Sequence, residues 1–124
     1  LVFPTVADAD RLNLAGIAAA RQRLGEEARE GTITAAGLAG ATFSVFDLGA
    51  SGVRDFDPVI PGGQAGVLGV GEIAERPVSR GGEVSSGKVM QVSLACDHRI
   101  LYGDSAAAFL AAIRSNLEQP DRLA

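Results

Sequence analysis

The residue types best suited to chemistry cluster in nine consecutive positions, Cys96-Asp97-His98-Arg99-Ile100-Leu101-Tyr102-Gly103-Asp104. His98 is the only histidine and Cys96 the only cysteine in the chain. An unperturbed imidazole titrates near ~6.5, so His98 can serve as a general base near neutral pH. The plainer reading is a partly buried histidine hydrogen-bonded at a strand end. Asp97 and Arg99 flank it with opposite charges; Arg99 reads as a structural ion pair, with Asp97 or with a carboxylate elsewhere, or as a means of holding the turn. Cys96 reads as a small buried hydrophobe, because it falls on the apolar face of a strand. Asp104 reads as the cap of a following helix. One Cys and one His leave too few soft ligands for a zinc site of the usual kind, and no metal is expected.

Those residues need a strand before them and a helix after them. Met90, Val92, Leu94 and Cys96 alternate, which predicts a strand face, and two further residues bring His98 onto that face. Ala106, Phe109, Leu110, Ile113 and Leu117 recur at helical spacing, so a helix is expected to start after Asp104 or Ser105 and to close at Pro120. Upstream, Val2, Phe3 and Val6 suggest a short strand over 1–7, with Pro4 marking an edge. Asp8-Ala9-Asp10 offers caps for a helix over about 11–30. Leu14, Ile17, Ala18, Leu24 and Ala28 lie on its apolar face, and Gly31 is its stop. Strands are expected at 41–48 and 65–73. A hairpin of 77–84 with 87–96 is expected, its turn at Gly81-Gly82 or at Ser85-Ser86-Gly87. The class is α+β: a mixed sheet with two amphipathic helices.

The 124 residues allow one modest domain. Net charge is −4, and Lys88 is the only lysine, so the clustered basic surface that nucleic acid requires is missing. No apolar run approaches the ~20 residues of a membrane span. The single cysteine fits a reducing, cytoplasmic location. Gly69 and Gly71 make Gly-x-Gly without the continuation into a helix that a dinucleotide site needs.

Asp97-His98-Arg99 followed by Gly103, with Ala107-Ala108-Phe109-Leu110 in the next helix, resembles the catalytic domain of the E2 acyltransferases of 2-oxoacid dehydrogenase complexes. Pro4 to Asp10, Gly40 to Val45 through Leu48-Gly49, and Gln64 to Gly71 match that family in order and spacing. The resemblance implies a chloramphenicol acetyltransferase-like sandwich assembled as trimers or larger cores, with the site in a channel between subunits. It implies that His98 takes a proton from a thiol of dihydrolipoamide or coenzyme A, and that an acyl group, acetyl for instance, then moves between the carriers. The acceptor is dihydrolipoamide or, in a stand-alone relative, a small-molecule hydroxyl acetylated from acetyl-CoA. The family's oxyanion donor, a Ser or Thr, corresponds to Phe46, whose ring donates no hydrogen bond; an assembly subunit with impaired catalysis is the alternative this raises. Ser44 is the nearest substitute hydroxyl on that strand face, displaced by ~6–7 Å. Tyr102 stands where the family has Asp or Asn, and its hydroxyl can still donate or accept. The family domain is about twice this long. Residues 1–124 therefore match its C-terminal half, and a separate or preceding N-terminal half is expected to cover exposed apolar surface.

Overall fold

The computed structural model describes residues 2–123, which divide into two compact units. One comprises the residues up to Ala41 with those from Ala107 onward; the other is Thr42–Ala106.

In the first unit, helix α1 spans Leu14–Glu30. It begins later than the expected residue 11. Asp8 takes a left-handed φ of 47° and leads into a short 3-10 turn at Ala9–Arg11, so none of Asp8 to Asp10 is in place to cap. Asn13 caps instead, its side chain accepting from the Gly16 amide at 2.9 Å. Gly31 ends the helix as expected, with φ 71° and its N–H donating to the Glu27 carbonyl. Leu24 is buried, but Leu14 is exposed, so the covered face is narrower than the periodicity suggests. The expected strand over 1–7 is absent among residues 2–7; position 1 lies outside the described residues. Pro4 has no N–H to contribute to a ladder, and Thr5 makes one backbone bond, donating to Gly37 O at 2.8 Å.

The second unit holds both sheets. Strands β1 (Phe43–Asp47), β2 (Gly66–Val70) and β5 (Val92–Cys96) form a mixed sheet in the order β1-β2-β5. β2 is parallel to β1 and antiparallel to β5. Gly66, Val67, Leu68 and Gly69 are all buried, as a central strand of small and branched residues requires. Gly69 is closely packed: a Cβ there would lie 3.1 Å from the Phe56 ring and 3.2 Å from Pro58.

Strands β3 (Ala74–Arg80) and β4 (Glu83–Val89) form a separate antiparallel hairpin. Its turn is Gly81-Gly82, with φ of 59° and 86°, the double left-handed conformation that a two-residue hairpin turn demands. The expected single strand over 87–96 is in fact two. The chain leaves the hairpin after Val89, and β5 pairs with β2 instead. Gln91 marks the change: its carbonyl accepts from Gly71 N–H at 2.9 Å, and its side chain accepts from Arg54 Nε at 2.8 Å. Helix α2 spans Gly103–Glu118. Its start precedes the expected one, and Asp104 lies within the first turn rather than at the cap. There its carboxylate accepts from Ser105 N–H and meets the positive end of the helix dipole.

Among the described residues, Leu24, Val67 and Leu68 are the buried aliphatic side chains. Phe3, Val45, Val59, Ile73, Ile100 and Phe109 are exposed.

Candidate active site

The Asp97–Gly103 segment joins the end of β5 to the start of α2, and its first residue anchors it. Asp97 N–H donates to Ala65 O at 2.9 Å, one bond beyond the β2–β5 ladder. The Asp97 carbonyl accepts from both Ile100 and Leu101 amides at 2.9 Å, closing a turn over residues 98–100. Tyr102 O accepts from Ala106 N–H at 2.8 Å, which starts the helix. The pleat therefore stops at Cys96, and the turn, not the β5 alternation, sets where His98 stands.

The Asp97 side chain is engaged on both oxygens. Oδ1 accepts from the Arg99 backbone N–H at 2.9 Å and from Arg99 Nε at 3.0 Å; Oδ2 accepts from Nε at 3.0 Å and from Nη2 at 2.6 Å. The guanidinium hydrogen bonds hold the Asp97 carboxyl well below the usual range, at about 2. Sequence proximity was enough to suggest this pair; the additional backbone bond across His98 was not visible in it.

His98 is exposed, and its imidazole makes no hydrogen bond among the described residues. The hydrogen-bonded strand-end histidine is thus not what the chain presents. Tyr102 is exposed as well, as is Gly103. Cys96 is half-buried opposite Gly66 on the face that also carries Phe43, whose ring lies 3.2 Å from where a Gly66 Cβ would be.

Phe46 is on β1, in register with Gly69 and through it with Ser93. It is half-buried, on the sheet face where Phe56 and Pro58 cover Gly69. Ser44 shares that face one pleat away, opposite Val67. Its hydroxyl donates to Gln64 Oε1 at 2.7 Å, a partner twenty residues away that no local pattern signals. The register separates Phe46 from the histidine. Ser93, level with Phe46, precedes Asp97 by four residues, or ~13 Å along an extended strand. Asp97, His98, Arg99, Tyr102 and Gly103 are brought together; Phe46 and Ser44 lie further down the sheet. Among the described residues no group of three His, Cys, Asp or Glu side chains is arranged to hold a metal ion.

The model of the 2-oxoacid dehydrogenases acyltransferase catalytic domain matches residues 1–124. The chain belongs to this family. It is 38% identical over 123 residues to the dihydrolipoyllysine-residue acetyltransferase component of the acetoin cleaving system of Bacillus subtilis, covering 99% of this chain and 31% of the relative. It is 37% identical to the dihydrolipoyllysine-residue succinyltransferase component of the 2-oxoglutarate dehydrogenase complex of Bartonella vinsonii, covering 99% of this chain and 30% of that protein. The dihydrolipoamide acetyltransferase of Azotobacter vinelandii superposes with a TM-score of 0.88 at 29% identity, over 94% of this chain and 48% of the solved one. A serine, a histidine and an asparagine of that enzyme have been investigated for their role in its catalytic mechanism. The chain thus spans about 30% of its curated relatives and about half of the solved catalytic core. Its α+β fold is the chloramphenicol acetyltransferase-like fold of those cores.

Proposed function

We propose that residues 1–124 are the histidine-bearing C-terminal half of an E2-type catalytic domain that moves an acyl group between dihydrolipoyl and coenzyme A thiols. The observation that carries this is His98: an exposed, unbonded imidazole on a turn pinned by hydrogen bonds, in a chain of the acyltransferase family. In the Azotobacter enzyme the serine precedes the histidine by 52 residues and the asparagine follows it by four. The same offsets from His98 reach Phe46 and Tyr102.

The chemistry follows from the side chain. Neutral His98 accepts the proton of the attacking thiol, and the sulfur forms its bond to the thioester carbonyl carbon. The carbonyl oxygen becomes anionic in the tetrahedral intermediate. On collapse the C–S bond to the departing carrier breaks, and the imidazolium returns the proton to that sulfur. No metal enters these steps. Phe46 offers the oxyanion no hydrogen bond, and the absence of one such donor costs ~3–4 kcal/mol, roughly a hundred- to thousandfold in rate. The separation of Phe46 from His98 along the sheet favours a site completed between two copies in a trimer or larger cytoplasmic core. The exposed apolar residues favour an N-terminal half as a further neighbour.

The test is acyl transfer from acetyl-CoA and succinyl-CoA to dihydrolipoamide, followed as free coenzyme A in the full-length protein. His98→Ala is expected to lower the rate by at least a hundredfold; an unchanged rate refutes the base assignment. Phe46 favours one other reading, an assembly subunit with a decayed site. A barely detectable rate that rises in Phe46→Ser supports that reading, and robust parental turnover removes it.

A further inference from the structure

We propose that the Asp97–Arg99 pair is a positioning clamp that presets His98 for proton transfer, an inference that rests on His98 being the base. The geometry is specific to that residue. The Asp97 Oδ1···H–N Arg99 bond at 2.9 Å closes a ring of which His98 is the middle member. Side-chain turns of this kind hold the backbone of the residue they span, and hence the direction of its Cα–Cβ bond. The main chain of Asp97 fixes the other side: its N–H is tied to Ala65, and its carbonyl to Ile100 and Leu101. One rotatable element of the clamp remains, the Asp97 carboxylate, and the guanidinium of Arg99 immobilises it through three further hydrogen bonds.

Stability does not account for this arrangement. The Arg99 side chain is 89% exposed, against 17% for Asp97, and ion pairs this open contribute little to folding. Orientation is a different matter, because a small displacement of a catalytic group costs on the order of a hundredfold in rate. The pair also brings no net charge to the imidazole's neighbourhood. With its carboxyl held at about 2 by the guanidinium hydrogen bonds, Asp97 stays charged, and the clamp closed, across the physiological range.

Steady-state acyl transfer to dihydrolipoamide by the full-length protein tests this, with thermal melting recorded alongside. Asp97→Ala, which removes both the turn and the pair, is expected to lower kcat about 10- to 100-fold while KM for each substrate stays within about twofold. Asp97→Asn keeps an oxygen for the Arg99 amide and is expected to recover to within about threefold of the parent. Arg99→Ala frees only the carboxylate and is expected to lower kcat by about 3- to 10-fold without moving the melting temperature. If Asp97→Ala fails to fold, the split between kcat and KM in Arg99→Ala decides. Parental kcat in both Asp97→Ala and Arg99→Ala beside an inactive His98→Ala overturns the clamp alone. So does an Asp97→Asn as slow as the alanine variant. An active His98→Ala overturns the base assignment and the clamp with it.

Discussion

The two sheets of the Thr42–Ala106 unit are built to opposite rules. In the three-stranded sheet the middle strand β2 is buried from Gly66 to Gly69, and Val67 has no exposed surface at all. Loop residues Phe56 and Pro58 press onto Gly69, and the Arg54 carbonyl occupies the space a Gly71 side chain would need. In the hairpin, β4 is exposed from Glu83 to Ser86, and Val84 is 75% exposed. Its two turn glycines meet nothing within 4 Å; they are required for their φ angles, not for space. The turn that carries His98 is attached to the first sheet, through Asp97 and Ala65. The candidate base is thus carried by the close-packed sheet and not by the open hairpin.

Substitutions at matched positions test this contrast. The largest effect is expected at Gly71→Ala, whose Cβ collides with the Arg54 carbonyl oxygen, a backbone atom that cannot swing aside. A loss of about 3 kcal/mol is expected from such overpacking, read by thermal or denaturant unfolding. The hairpin counterpart, Gly87→Ala, meets only the Val78 side chain at 3.0 Å, and about 1 kcal/mol is expected. Equal losses at the two sites would erase the distinction. Next comes Val67→Ala, expected to cost about 2–3 kcal/mol as a buried truncation, while Val84→Ala is expected to stay within about 0.5 kcal/mol. Gly82→Ala tests the turn: holding alanine at φ 86° is expected to cost about 1–2 kcal/mol. That variant is expected to leave acyl transfer unchanged, which an activity assay checks directly.

The smallest effect concerns pH. The guanidinium hydrogen bonds lower the Asp97 carboxyl from 3.8 to about 2 in the folded chain. A carboxylate depressed by folding contributes stability above the unfolded value, and that contribution is lost as pH falls from about 4 towards 2. Asp97→Asn is expected to flatten the stability profile in that window and, above pH 5, to run parallel to the parent at a slightly lower stability, as acid titrations of both proteins would show.

Much of this was legible in local sequence. Gly81-Gly82 can adopt two left-handed residues in succession, so the hairpin turn was among the expected ones. Gly31 stops α1 for a similar reason. Asp97 and Arg99 are two residues apart and of opposite charge, which makes their pairing readable. Other features were not local. Met90 and Gln91 carry no break signal, so one strand was expected where the chain leaves the hairpin and joins another sheet. Ser44 reads locally as a spare hydroxyl, but it donates a hydrogen bond to Gln64, twenty residues away. Asn13 capped α1 because Asp8 had already turned the chain left-handed, an outcome that three adjacent capping candidates did not distinguish.

By itself the sequence determined the α+β class, the two helices, the acyltransferase family resemblance and the choice of His98 as the candidate base, because these rest on residue types, short-range spacing and recurring motifs. Tertiary structure decided the partner of β5, the burial of β2 and the attachment of the His98 turn to the end of β2. Each of these depends on hydrogen bonds between segments twenty or more residues apart, such as Asp97 to Ala65 and Gln91 to Gly71. A segment's own pattern sets which conformations it can adopt; pairing across the chain selects among them, since a buried amide or carbonyl must find its partner wherever the fold places one.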